Sequence, residues 1–265
     1  MAITTLDQYI AAASQRVQIL KTGSVTAVAL MNTQVLQAAG NPGAGTLAGT
    51  NTANGLVPTD ADAGFPGINA FGGGATGYIG NITFGNTVAS RITLFDCLFK
   101  AGAYAFNANT TLASQPSYSG RVIGGTDFTN TEIWIEAVTA FTGNQSIAVT
   151  YTNQSGTAAR TTGTIATGVA PIVGRMLQLP LQAGDTGVQK IESVVSTVST
   201  VGTFNVLVLR RLWSGRVPVA NSGDVHDFLK TGMPQIFADS ALMAIVQPDS
   251  TATGIFELVA EVING

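Results

Sequence analysis

Charge is what this sequence of 265 residues has least of. Lys, Arg, Asp and Glu make up 10% of it, against roughly 25% in ordinary soluble proteins. The 12 basic and 15 acidic residues leave a net charge of -3. No stretch gathers the cations into a stripe, which argues against direct binding of nucleic acid. A folded chain of this mass exposes on the order of 11,000 Å². So few charges leave such a surface poorly protected against association. Three conditions would make it tolerable: a membrane, a permanent partner, or an outer coat of Thr and Asn. No apolar run approaches the ~18–20 residues of a spanning helix, so no membrane partner is expected.

Cysteine and histidine are scarcer still. Cys97 is the only cysteine, which excludes an intrachain disulfide. It sits in the apolar run Arg91–Phe99 and reads as a small buried hydrophobe rather than a nucleophile. His226 is the only histidine. A zinc site built from several His or Cys is therefore excluded. A Ser-His-Asp triad would have to use His226, and no G-x-S-x-G elbow accompanies it. Asp224, His226 and Asp227 are too close in sequence to surround an ion unaided. Asp60 and Asp62 lack the EF-hand pattern and read as solvated loop carboxylates. The first residues lack the basic region and apolar core of a secretory signal, so synthesis and retention in a cytoplasm are expected.

Two patterns raise catalysis or nucleotide binding and fail on physical grounds. Residues 72–77 match G-x-G-x-x-G, with Asp96 at a suitable distance for a ribose carboxylate. That mechanism needs a preceding strand and a following helix N-terminus. Here a Pro/Gly loop precedes and an alternating run follows. Glu132 and Glu136 share a strand face, but residues four apart on a strand lie ~13 Å apart. Glycosidase pairs need roughly 5–9.5 Å. The chain is expected to be non-enzymatic, with no cofactor, no metal and no catalytic residues.

What the sequence does have is 34 Thr and 31 Gly, a composition suited to strands, turns and bulges. Residues 4–19 predict a helix, with Thr5 and Gln8 as a capping box and Leu6, Tyr9, Ile10, Ala13 and Val17 along one face. Residues 24–37 predict a strand. Residues 40–77 are rich in Pro and Gly and nearly free of charge, and predict a long loop laid over a partner. Strands follow at 78–88 and 91–99. The best is Glu132–Glu136, with Ile133 and Ile135 on the face opposite Trp134. With 146–152 and 158–165 it reads as a meander. A further short strand covers 175–179. Hairpins are predicted from 188–198 with 203–213, and from 241–246 with 255–263. Val206 to Leu209 are apolar on both faces, which implies burial on both sides or one face meeting another subunit.

The fold expected is mainly β: an antiparallel β-sandwich or jelly-roll-like domain with a short N-terminal helix and a long irregular loop. Residues 1–20 would be an arm and 21–265 the β domain, with a subdivision possible near 125. Interface candidates are Leu6, Tyr9 and Ile10 on the helix, Phe65 and Phe71 in the loop, and Trp134, Arg211 and Trp213. Arg and Trp are favoured interface anchors, although Arg211 could instead guard a strand edge.

The segments Glu136–Thr139, Val149–Gly156 and Leu177–Val188, and the start Ala2–Ile10, resemble virion structural proteins of tailed bacteriophages. The resemblance covers about half of the chain. It implies a capsid or tail component with no catalytic residues to carry over. Within that family the expectation is a capsid decoration (cement) protein, homo-oligomeric and bound to the major capsid protein or other virion subunits. The alternative is a tail or fibre-associated protein that binds glycans through the Trp134 face.

Overall fold

A computed structural model describes residues 3–46, 51–73, 75–106, 109–144, 146–166, 172–196 and 201–265. The strands are β1 (Ala13–Lys21), β2 (Thr33–Gln34), β3 (Gly40–Asn41), β4 (Asn51–Leu56), β5 (Gly77–Asn86), β6 (Ser90–Ala105), β7 (Thr110–Thr111), β8 (Thr131–Thr139) and β9 (Ser146–Asn153). After these come β10 (Arg160–Thr161), β11 (Ile165–Ala166), β12 (Met176–Leu179), β13 (Val188–Val195), β14 (Thr203–Val217), β15 (Ser222–His226), β16 (Gln235–Ile236), β17 (Leu242–Pro248) and β18 (Phe256–Asn264). Two short α-helices, α1 (Leu6–Ala11) and α2 (Phe228–Thr231), complete the described elements with a 3-10 turn at Ser119–Arg121. The fold is mostly antiparallel β in a sandwich-like arrangement, as expected.

Three sheets share the work. A seven-stranded sheet runs β12-β8-β14-β6-β17-β2, with β4 also on β6. A six-stranded sheet runs β15-β5-β18-β1-β3 with β16 on β5, and a five-stranded sheet runs β10-β9-β13-β7 with β11 on β9. The long strands β6 and β14 pair along nearly their whole length, from Thr203 opposite Ala105 to Val217 opposite Ser90. One face of this central sheet therefore serves two sandwiches in turn. At one end Ile133, Ile135, Phe204, Val206 and Val208 pack against Ile147, Val149, Tyr151 and Ile191 of the five-stranded sheet. At the other end Ile92, Leu94, Trp213, Leu242 and Val246 pack against Val17, Ile79, Phe84, Phe256 and Leu258 of the six-stranded sheet.

A buried polar cluster lies between the two cores. Asp96 and Arg210 are directly opposed on β6 and β14. Asp96 also pairs with Arg121 and accepts a hydrogen bond from Ser240 at 2.9 Å. Arg121 further donates to the carbonyls of Cys97, at 3.0 Å, and of Pro58. The opposite face of the central sheet carries Phe95, Cys97, Trp134, Leu207, Leu209, Met243 and Ile245, covered by Leu36 and Phe65 from the loops.

Several sequence expectations need correction. The helix is short: it starts at the Thr5–Gln8 capping box and ends at Ala12, whose backbone is extended. From Ala13 the period is two, with Val17, Ile19 and Lys21 buried. Pairing of β1 with β18, Ala13 opposite Asn264 through Leu20 opposite Glu257, outweighs the helical spacing. The boundary placed at residue 20 thus falls inside a sheet strand. Residues 24–37 yield only the two-residue β2 and an isolated bridge at Thr26.

The described residues of the loop 40–77 lie over the chain's own sheets. It contributes β3 and β4, and it buries Phe65 and Ile68. Asp60 and Asp62 organise it from within by accepting 2.8 Å hydrogen bonds from the Ile68 and Thr59 amides.

The meander is half right. β9 pairs with β10, but β8 lies in the central sheet and β9 in the five-stranded one. Neither predicted hairpin forms. β13 pairs with β9 and β7 while β14 pairs with β6 and β8, and β17 and β18 lie in different sheets. Each apolar run is drawn to a different core. Burial of β14 on both faces holds: Val206 and Val208 face one core, and Leu207 and Leu209 the other.

Candidate interaction surface

The two short helices α1 and α2 meet through Tyr9 and Phe228 and carry exposed apolar side chains. Helix α1 buries none of its six residues. It is held by its capping box and by Tyr9, whose ring lies 5.1 Å from that of Phe228. Tyr9 also fits closely over Gly80 of β5, where an added Cβ would stand 3.0 Å from the ring. Helix α2 begins at Asp227, whose carboxylate accepts from the Lys230 amide at 3.0 Å. It ends at Gly232, whose positive φ of 68° suits a residue without Cβ. Leu6, Ile10 and Leu229 point outward, 58%, 72% and 77% exposed. Ile3, Leu6, Tyr9, Phe228 and Met233 line a groove of about 190 Å³ between the helices. Burial, with the negative charges of Glu261 and Asp227, raises the Tyr9 hydroxyl above its ordinary pKa, so the groove presents a neutral phenol.

The structure separates the remaining candidates. Phe65 is core, and Phe71 is half-buried against the six-stranded sheet's core. Trp134 is 3% exposed; its indole N–H donates to Glu132 at 2.8 Å and its ring packs on Phe95. Trp213 is also core, and donates to His226 Nδ1 at 2.9 Å. Neither tryptophan is available to an outside ligand. Arg211 is exposed, lies 5.4 Å over the Phe95 ring, and pairs with Glu132 at 3.0 Å. Of the eight residues, the structure brings Leu6, Tyr9 and Ile10 together at one surface. Sequence reading missed Phe228 and Leu229. Their signal is Asp227, an N-cap residue directly before an apolar pair.

The glycine run, the paired glutamates and His226 have structural roles. Gly77 opens a strand, not a helix, and Gly74 lies outside the described residues. Glu132, Trp134 and Glu136 do share a face, but Glu136 is fully buried, pairs with Lys100 at 3.2 Å and accepts from Asn205 at 2.7 Å. His226 Nε2 lies 3.4 Å from Asp224. With Nδ1 accepting from Trp213, the imidazole links β15 to β14.

Six of the charged side chains are themselves buried: Lys21, Asp96, Lys100, Arg121, Glu136 and Arg210. The remaining twenty-one share 10743 Å² of surface. The exterior is thus poorer in charge than the composition alone implied. No described helix is long and apolar enough to cross a membrane.

No protein-family model matches the chain, and no curated protein matches it. Solved structures that align with it include the infectious bursal disease virus Gx strain, at 10% identity and a TM-score of 0.17, over 96% of this chain and 80% of that one. The VP2 subviral particle of the same virus aligns at 10% identity and a TM-score of 0.18, with the same coverage. At TM-scores this low the likeness carries no functional argument.

Proposed function

We propose that this chain is a non-enzymatic virion structural protein, and within that class a bacteriophage capsid decoration subunit. The observation that carries the reading is the α1–α2 surface. Helix α1, which meets the rest of the chain through Tyr9, presents Leu6 and Ile10 to solvent, and α2 presents Leu229, on an exterior with few charges to oppose contact. Contacts of standard size, ~800 Å² per partner, become strong when each subunit touches several neighbours on a lattice. The partners in this reading are the major capsid protein and further copies of the chain, and the place of action is the virion, assembled in the host cytoplasm. The resemblance of Ala2–Ile10 and Leu177–Val188 to tailed-phage virion proteins supports the same class. Burial of Trp134 removes the face on which a glycan-binding tail or fibre role rested.

The test is L6D/I10D, measured by co-sedimentation with capsids and by thermal melting. The expected result is unchanged melting of the subunit, because both side chains are already in solvent, with at least tenfold weaker particle binding. Binding equal to wild type would overturn the role of this surface. Wild-type protein that stays monomeric and never sediments with particles would overturn the function.

A further inference from the structure

The far end of the central sheet carries a pair of cations that the fold itself does not neutralise. Arg216 on β14 and Arg91 on β6 are directly opposed, so their side chains leave the same face of the sheet. Gln247 on β17 is opposed to Arg91 on its other side. The row Arg216–Arg91–Gln247 therefore crosses three adjacent strands spaced ~4.8 Å apart. Like charges placed directly opposite destabilise a sheet, and this chain has only 12 basic residues to place. Six of the twelve, Lys100, Arg121, Arg160, Arg210, Arg211 and Lys230, each reach an acid, and of the other six only Arg91 and Arg216 face each other across a strand pair. Arg91 and Arg216, both exposed, make no ion pair among the described residues.

The two arginines stand in a cavity of about 210 Å³, whose rim includes Leu30, Pro218 and Asp249. Asp249 is the only acid lining it and pairs with neither arginine. Leu30 is 67% exposed and sits at φ 62°, a conformation uncommon for a bulky side chain. Gln247 holds it there by donating to the Leu30 carbonyl at 3.0 Å, while the Leu30 amide donates to Pro248. An apolar side chain is thereby fixed beside two guanidinium groups.

We propose that Arg91, Arg216 and Gln247 form a receptor for a carboxylate, presented by an acidic segment of a neighbouring protein chain. Guanidinium forks match the two oxygens of a carboxylate. Gln247 adds an amide to the row. Leu30 gives an apolar contact that a protein segment can use and a small free anion cannot. Nucleic acid fits less well, because backbone phosphates need cations spread along a track. Here two cations are confined to one cavity with an acid on its rim. The site is separate from the α1–α2 surface and its test does not involve capsids.

The test uses the full chain at low ionic strength, with hexaglutamate as the probe, read by calorimetric titration and thermal shift. Hexaglutamine, acetate at matched carboxylate concentration and oligothymidylate serve as comparison arms. Hexaglutamate is expected to bind wild type and raise its melting temperature, and hexaglutamine is not. R91Q/R216Q is expected to bind at least tenfold more weakly while melting at or above the wild-type temperature, since the repulsive pair is gone. Equal binding by the double variant overturns the site. Acetate matching hexaglutamate would mean a free-anion site, and oligothymidylate binding more tightly would mean a nucleic-acid site; either overturns the assignment to a protein segment. If the double variant does not fold, R216Q carries the test: fivefold weaker binding supports the proposal and unchanged binding overturns it.

Discussion

Neutralising Asp96 should cost this fold more than any other single change of charge. The carboxylate is fully buried between two guanidinium groups, Arg121 and Arg210, themselves 2% and 6% exposed. Burial lowers the pKa of the Arg210 guanidinium, and the nearby Asp96 charge opposes that shift. Asp96→Asn keeps the size of the side chain and removes the only negative charge in contact with both cations. Breaking a buried pair in this way costs about 3–5 kcal/mol. For a chain of this size each kcal/mol shifts the melting temperature by roughly 2–4 °C, so D96N should melt about 6–20 °C below wild type. Arg210→Met should cost less, because Asp96 then keeps Arg121 and Ser240. Calorimetry at pH 7 and urea titration both read these differences. A D96N loss under about 1 kcal/mol, the scale of one ordinary neutral hydrogen bond, would refute the reasoning. So would a larger loss for R210M than for D96N.

Two further expectations follow from titratable groups. The Asp185 carboxyl is held down at about 2, from an ordinary 3.8, chiefly by its hydrogen bonds to the Arg160 guanidinium, with help from Tyr151 and Asn153. A depressed folded-state pKa stabilises the fold above the unfolded value and loses that effect as pH falls through the folded one. The stability gap between wild type and D185N should therefore be constant from pH 7 to 5, shrink below pH 4 and close near pH 2; a gap that persists at pH 2 would refute this. Burial pushes the Cys97 thiol up to about 12. A thiol reagent at pH 8 should accordingly modify Cys97 only as fast as the chain unfolds, and rapid labelling of native protein would contradict its placement in the core.

Particular residues show how far the sequence could be read. The alternation Glu132-Ile133-Trp134-Ile135-Glu136 identified β8 and its two faces correctly. It could not show that the Trp134 face is covered by Leu36 and Phe65, residues ~70–100 positions upstream that no local pattern connects to it. The exposed helix residues Leu6 and Ile10 were read correctly as one face. Val17 was not, because i, i+3, i+4 spacing over Leu6 to Val17 and period two over Val17 to Lys21 overlap at the same residue. Its pairing partner, Ala260 on β18, settled the matter. The Arg91–Arg216 pair was invisible for the same reason: the residues are far apart in sequence, and only the β6–β14 register opposes them.

From the order of its residues alone, this chain was bound to be rich in β-strand, closed by no disulfide, and clothed in Thr rather than charge. Those outcomes depend on side-chain sterics and composition, which act within a few residues. Tertiary structure decided which strands pair, that one long sheet supports two cores, that six charged side chains go inside, and that two arginines stand unpaired at one end. Those outcomes depend on burying many apolar faces at once. An apolar strand joins whichever core completes its contacts, and its neighbour in sequence is often not the one that does.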